Sequence, residues 1–402
     1  MMALDGIKVL DFCRNTPGMF CSMVLADLGA DVLMVERPMS GDRAEYERTV
    51  FGIDGPEDER RRAAYNALQR NKRSIALNLQ EPEARSILYQ LAETADVVLE
   101  GFRPGVMDRL GVGYQKVQEI NARIIYGSIS GYGQDGPYSR MAGHDLNYIS
   151  FAGALGLVGH TEEDRPAIPL NLLADYAGGG LCGAVAVLAA LLVREQTGRG
   201  QYLDIAMTDG VLYMLAGLVS DSLAQGVVPG RGSTRLNGGV PYYNVYRTKD
   251  DKYFTVAAVE PWFWRNLCTA LGREDFMEHQ HAEGAKRREI YDYFEQTFRT
   301  KTRDEWFELL KEKDISVGKV YSLDEVLLDP QVAHRGMVVE VEAPGLSEGT
   351  VKQVGIPFNL SETPGRVRHA GSVTGQHTAD VLADLGYQPH QIEDLRQREV
   401  VQ

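Results

Sequence analysis

The stretch that decides the fold is Ile7-Lys-Val-Leu-Asp-Phe12, a turn at Thr16-Pro17-Gly18, the apolar run Met19 to Leu28, Gly29, and Asp31-Val-Leu-Met-Val-Glu36. A short β-like run, a helix-spaced apolar run closed by glycine, and a second buried strand make one βαβ unit. The rhythm continues outward. Ser74-Ile-Ala-Leu-Asn-Leu79 reads as a strand, Glu81-Pro82 opens a helix carrying Ile87, Leu88 and Leu91, and Asp96–Glu100 and Arg123–Ile129 read as further strands. Strands alternating with helices predict a parallel, doubly wound sheet with ligands at the carboxyl ends of its strands. No G-x-G-x-x-G follows the first strand, so the nicotinamide fingerprint is missing from its place.

Tyr176 to Glu195 reads as one long apolar helix, followed by the strand Gln201–Ala206 and a helix from about Asp209. The stretch Gly226–Gly239, rich in Gly, Arg and Ser, reads as a linker. Beyond it, Tyr243–Thr248 and Tyr253–Val259 flank Lys249-Asp-Asp-Lys252 in the pattern of an antiparallel hairpin, and charged amphipathic helices follow. The predicted organisation is α/β: a large domain over 1–225, a small α+β domain over 226–335, and a segment 336–402 returning to the large domain. A chain of 402 residues exceeds what one core usually supports, which also predicts two domains.

A formal net charge of −14 excludes a protein built to wrap nucleic acid, which needs a basic face. Between Arg37 and Arg73, however, nine basic residues face seven acidic ones. A local cationic region suits a small phosphorylated ligand; a solvated, salt-bridged loop is the plain alternative for residues 43–62. The four cysteines, Cys13, Cys21, Cys182 and Cys268, form no C-x-x-C pair and read as reduced core residues. Seven histidines outside the Gly143-His144 segment lack ligand spacing, so no metal site is expected. The longest apolar run, Leu181–Val193, has 13 residues, against ~20 for a membrane span. With no signal-like block near Met1 and no peroxisomal address at Val400-Val-Gln402, a cytoplasmic location is expected.

Three segments carry candidate chemistry: Gly143-His144-Asp145, Asn171-Leu-Leu-Ala-Asp175-Tyr-Ala-Gly-Gly-Gly180 and Ala258-Val-Glu260-Pro261. An imidazole facing a carboxylic acid can remove a carbon-bound proton on one face and return it on the other, if both reach the carbon at roughly 3 Å. His144 precedes an apolar helical run, and a helix N-terminus keeps its ring neutral and can stabilise an enolate oxygen. Asp175 is expected as the N-cap of the long helix, with burial raising its pKa toward use as an acid. Glu260 ends a strand before Pro261 and can fix the histidine tautomer. Asp145 reads as a solvated or capping acid or, less directly, a catalytic one.

The motifs Leu4-Asp-Gly-Ile-Lys-Val-Leu10, Leu25-Ala-Asp-Leu-Gly-Ala-Asp-Val32, Val35-Glu-Arg-Pro38, Asn71-Lys-Arg-Ser74, Asp96–Gly105 and Thr197-Gly-Arg-Gly-Gln201, in that order, resemble the family III CoA-transferase superfamily. Gly143–Tyr148, Asn171–Gly180 and Val259-Glu-Pro261 resemble its α-methylacyl-CoA racemase branch. The resemblance implies a large Rossmann-like domain, a small domain, and an interlocked-ring homodimer whose active sites are shared between subunits. It implies that His144 and Asp175 face each other across the α-carbon, with Glu260 arriving from the partner and Asp145 beside them. Coenzyme A, as part of an acyl-CoA thioester substrate, would lie along Arg37, Lys72, Leu77, Asn78, Gly101, Phe102, Arg103 and Arg109. Gly143, Leu146, Asn147 and Tyr148 would complete that site, with no metal or further cofactor. Asn78 stands where the family usually has aspartate, and Glu45–Ala64 is longer and more charged than in compact racemases. Two rival functions remain from the sequence: a CoA-transferase using Asp175 as nucleophile, and a non-catalytic acyl-CoA-binding protein in which the three residues only cap and pack.

Overall fold

A computed structural model describes residues 1–39, 45, 49 and 55–402, so most of the 43–54 part of the charged segment lies outside the described residues. The chain divides into two compact units: 1–152, 170–214 and 330–402 form the first, and 153–169 with 215–329 form the second. Against the expected boundaries, the divisions fall at 214/215 and 329/330. Residues 153–169 join the second unit, an excursion that no composition signal marked.

In the first unit β1 (Lys8–Asp11), β2 (Asp31–Glu36), β3 (Lys72–Ala76), β4 (Val97–Glu100), β5 (Ile125–Ser130) and β6 (Tyr202–Ala206) form one sheet of order β3-β2-β1-β4-β5-β6. Every neighbouring pair is parallel. This is the doubly wound order, whose direction reverses between β1 and β4 and opens a crevice at their carboxyl ends. Both faces of the sheet are covered, which is why its strands are continuous apolar runs and not alternating ones. Helix α1 (Thr16–Asp27) has Pro17 in its first turn and nine of its twelve residues buried, too many for an amphipathic surface helix. Helix α2 (Pro82–Thr94) buries Ala84, Ile87, Leu88 and Ala92 on one stripe. The helices Thr378–Asp384 and Pro389–Gln397 add Val381, Leu382, Ile392 and Leu395 to the same core, so the C-terminal segment returns to this unit.

The Asn71–Ser74 motif proves to be a structural clamp. Arg70 and Asn71 are buried and both bond the Asp27 carboxylate, Nε to Oδ1 at 3.1 Å and Nδ2 to Oδ1 at 2.7 Å. Asn71 Nδ2 also donates to the Arg366 carbonyl at 2.9 Å, tying β3 to the C-terminal segment. Burial raises the Asp27 pKa against the lowering effect of Arg70, so the guanidinium and amide are what let a carboxylate occupy this interior position.

In the second unit β7 (Tyr243–Arg247), β8 (Tyr253–Ala257) and β9 (Val317–Lys319) form an antiparallel sheet. The predicted hairpin is present, and with its helices it buries an aromatic core around Trp264, Phe294, Phe298 and Trp306.

Candidate active site

The helical stretch expected to start at Tyr176 begins earlier and is not α-helical at first. Leu172–Leu181 is a π-helix that passes into α4 (Cys182–Thr197), with α3 (Asp145–Phe151) before it and α5 (Met207–Met214) after β6. π-Turns are rare and concentrate at functional sites. Its residues explain the packing. A Cβ on Gly178 would lie 2.7 Å from the Met207 carbonyl oxygen, and one on Gly179 2.7 Å from Pro17 Cβ. The triple glycine thus lets the segment press backbone-close against α1 and α5. The whole helical stretch Leu172–Thr197 is long and apolar enough to cross a membrane by composition, yet its glycine face is packed inside the first unit.

Asp175 is therefore not an N-cap but the fourth residue of the π-helix, with Asn171 preceding it as the cap position. Asn171 Nδ2 donates to Asp175 Oδ2 at 3.0 Å. The carboxyl is half-buried, and burial raises its pKa above the ordinary range; the Asp145 charge raises it further, while Asn171 and His144 pull it down.

His144 is exposed and is the N-cap of α3, with extended backbone (φ −130°, ψ 176°) and its N–H donating to Asn147 Oδ1 at 3.0 Å. Tyr148 donates its hydroxyl to the Gly143 carbonyl at 2.5 Å, and a Cβ on Gly143 would lie 2.6 Å from the Tyr148 ring. Only glycine fits there. Burial pushes the Tyr148 phenol up to about 12, so it stays a neutral donor holding the residue before His144.

His144 and Asp175 line one cavity of about 660 Å³, together with Gly143, Asn147, Tyr148, Gly101 and Arg103. Its other walls are the turn after β1 with the start of α1 (Cys13–Met19) and the residues after β5 (Gly131, Tyr132), the crevice where the strand order reverses. A second cavity of about 180 Å³ gathers Arg37, Leu77 and Asn78 at the ends of β2 and β3. Arg14 and Phe102 line both, with the guanidinium 5.6 Å from the ring centroid. An extended ligand can run from the second cavity past this pair to His144 and Asp175.

Several expected site residues stand elsewhere. Lys72 is corrected: its side chain is wholly buried, with Nζ 3.3 Å from Asp11 Oδ2, 2.6 Å from Ser22 Oγ and 2.9 Å from the Met19 carbonyl. A lysine spent on an interior ion pair has no hydrogen left for a ligand phosphate. Asp145 is also corrected as a direct catalytic group, since it is buried beneath the cavity and its Oδ2 accepts from the backbone N–H groups of Ala174 at 2.7 Å and Asp175 at 2.9 Å. Leu146 is exposed on α3 and Arg109 on a short turn after Gly105, and neither lines these cavities. Glu260 belongs to the second unit, at the N-cap of α6 (Pro261–Ala270) as its Pro261 neighbour predicts. Buried Gln280 fixes that strand end, donating to the carbonyls of Ala258 at 3.2 Å and Val259 at 2.8 Å.

Arg14, Tyr132 and Met141 line the main cavity without having been singled out in the sequence. The signal for Arg14 was its place just past the first strand, at the switch point.

The model of CoA-transferase family III matches residues 4–378. The chain is 35% identical over 403 residues to the alpha-methylacyl-CoA racemase of Homo sapiens, covering 100% of this chain and 98% of that protein. It is 31% identical over 421 residues to the formyl-CoA:oxalate CoA-transferase of Rhodopseudomonas palustris strain BisA53, covering 98% and 96%. The solved structure of a CAIB/BAIF family protein from Brucella suis is similar with a TM-score of 0.79 at 28% identity, over 96% of this chain and 99% of that one. The matched region includes the six-stranded sheet, the switch-point cavity and the segments bearing His144 and Asp175, and the chain belongs to CoA-transferase family III.

Proposed function

We propose that this protein is an α-methylacyl-CoA racemase, interconverting (2R)- and (2S)-2-methylacyl-CoA thioesters by proton removal and return through an enolate. The observation that carries the reading is that His144 and Asp175, from two different elements, line a single cavity. His144 takes the α-proton on one face. Asp175, whose burial raises its proton affinity, delivers a proton on the other. In the reverse direction the roles exchange. The nucleotide end of CoA lies in the cavity of Arg37, Leu77 and Asn78, and the pantetheine arm passes Arg14 and Phe102.

The full enzyme on this reading is a cytoplasmic, interlocked homodimer, with Glu260 of one protomer meeting His144 of the other. Coenzyme A enters only as part of the substrate. A second reading is a CoA-transferase in which the Asp175 carboxylate attacks the thioester carbonyl, breaking the C–S bond and releasing CoA thiolate to leave an acyl anhydride; similarity to proteins named as formyl-CoA:oxalate and succinyl-CoA:glutarate CoA-transferases favours keeping it in view. The raised pKa of Asp175 suits an acid–base group better than an anionic nucleophile.

Incubating a single enantiomer of a 2-methylacyl-CoA in D2O decides between them. A racemase incorporates one deuterium as chirality is lost. A transferase leaves mass and chirality unchanged and moves CoA to an added carboxylic acid, and an acyl-CoA-binding protein does neither.

A further inference from the structure

We propose that Asp145 is a positioning residue, which sets where the Asp175 carboxyl stands relative to His144 without itself meeting the substrate. The inference rests on the reading that His144 and Asp175 form the acid–base pair, and it deepens that reading by assigning the neighbour that aligns them.

The connection is short. Asp145 follows His144 directly, and its Oδ2 accepts from Asp175 N at 2.9 Å and from Ala174 N at 2.7 Å. One side chain and one hydrogen bond therefore span the distance from the imidazole-bearing residue to the backbone of the carboxyl-bearing one. These N–H groups sit in the first turn of the π-helix, where no carbonyl within the helix can accept from them. No local side chain caps the segment, and Asn171 turns instead to Asp175 Oδ2. The π-segment also packs through the Tyr176 ring, 4.9 Å from Phe20 between centroids, and through Gly178 and Gly179 three and four residues past Asp175. These contacts set the depth of the helix, while the N–H groups of Ala174 and Asp175 in its first turn are held by Asp145.

A neutral cap would satisfy the same two donors, since Ser, Thr and Asn all accept from a helix N-terminus. The carboxylate adds a charge. Its Oδ1 is shielded from solvent and meets no donor among the described residues. That field acts on Asp175 and favours its protonated form. The other groups facing Asp175 are Asn171 at the cap of its own helix, His144 at the cap of α3 and Tyr148 on α3, with the cations Arg14 and Arg103 lining the same cavity. From the helices packed behind, α1 presents Pro17 and Phe20 and α5 presents Met207 and Gly210, none of them charged.

The test uses the full-length protein and two variants, with folding followed by circular dichroism. Asp145→Ala removes the acceptor and is expected to lower kcat for α-proton exchange by about tenfold to a hundredfold, with KM moved by no more than about threefold. Asp145→Asn keeps the acceptor and removes the charge. It is expected to recover most of kcat, with its optimum displaced to lower pH. The Asp175 titration is read separately by 13C NMR of carboxyl-labelled aspartate, taking the resonance lost in Asp175→Asn as its own. In Asp145→Asn that midpoint moves to lower pH. Wild-type kcat in Asp145→Ala, equal impairment of both variants at every pH, or an unmoved Asp175 midpoint overturns the inference. Should the wild-type protein exchange no α-proton of any 2-methylacyl-CoA, the racemase reading fails, and the Asp175 midpoint still decides the role of Asp145.

Discussion

Lys72 on β3 and Asp11 at the end of β1 form an ion pair with neither side chain exposed, Nζ to Oδ2 at 3.3 Å. Ser22 joins them, donating to Asp11 Oδ2 at 2.5 Å, and Asp11 Oδ1 accepts from Cys13 N at 2.9 Å. The cluster holds the turn after β1, which walls the main cavity. Removing one partner strands the other charge in the interior, so Lys72→Ala is expected to cost about 3–5 kcal/mol of stability. Lys72→Met with Asp11→Leu is expected to cost much less. Denaturant unfolding of the single and double variants checks this, and equal losses would contradict it.

His144→Ala removes the acid–base group on one face and leaves Asp175 on the other. Racemisation is expected to fall by about 10²–10⁴-fold. Residual exchange in D2O is expected from one enantiomer only, the one whose α-proton faces Asp175. Symmetric loss from both enantiomers would mean that the two groups do not serve opposite faces.

The pH profile offers a signed test through Asn171. Its hydrogen bond stabilises the charged Asp175 and lowers a pKa that burial has raised. Asn171→Ala is expected to raise that pKa further. In the direction where Asp175 is the base, activity is present above its pKa and lost as pH falls through it. The acidic limb of kcat/KM should therefore move to higher pH in the variant, opposite in sense to Asp145→Asn. An unmoved limb would remove Asp175 from that step.

Gly178→Ala tests the close packing of the π-segment. The new Cβ would sit 2.7 Å from the Met207 carbonyl oxygen, a backbone atom that cannot swing aside. A loss of about 1–3 kcal/mol is expected from such overpacking. Because Asp175 lies three residues before, activity should fall more than stability does. Thermal melts and steady-state kinetics measured together separate the two effects.

Arg14 and Phe102 wall both cavities, so their replacement should weaken substrate binding more than turnover. Arg14→Ala is expected to raise KM for acyl-CoA about tenfold, a loss of ~1.4 kcal/mol. A fall in kcat with unchanged KM would place Arg14 in the chemical step instead.

Much of this protein is local in origin and can be read from short stretches of chain. The parallel sheet follows from apolar runs such as Val9–Leu10 and Val32–Val35, separated by helix-spaced segments, and the hairpin of β7 and β8 from its charged turn. Pro17, Pro82 and Pro261 each mark the first turn of the helix they open. His144 and Asp175 each lie in a distinctive motif, and both line one cavity. The remainder depends on residues far apart in the chain. Lys72 looked like a ligand-binding cation because a sequence does not show that Asp11, 61 residues earlier, meets it in the interior. Asp145 looked like a cap for its own helix, yet it caps the π-helix 29 residues on. The π-helix itself arises where glycines let two helices approach a third, so helical periodicity alone put its start too late. Propensity and pattern act over a few residues, whereas desolvation of a charge and the fit of one backbone against another are set by whatever the folded chain brings alongside.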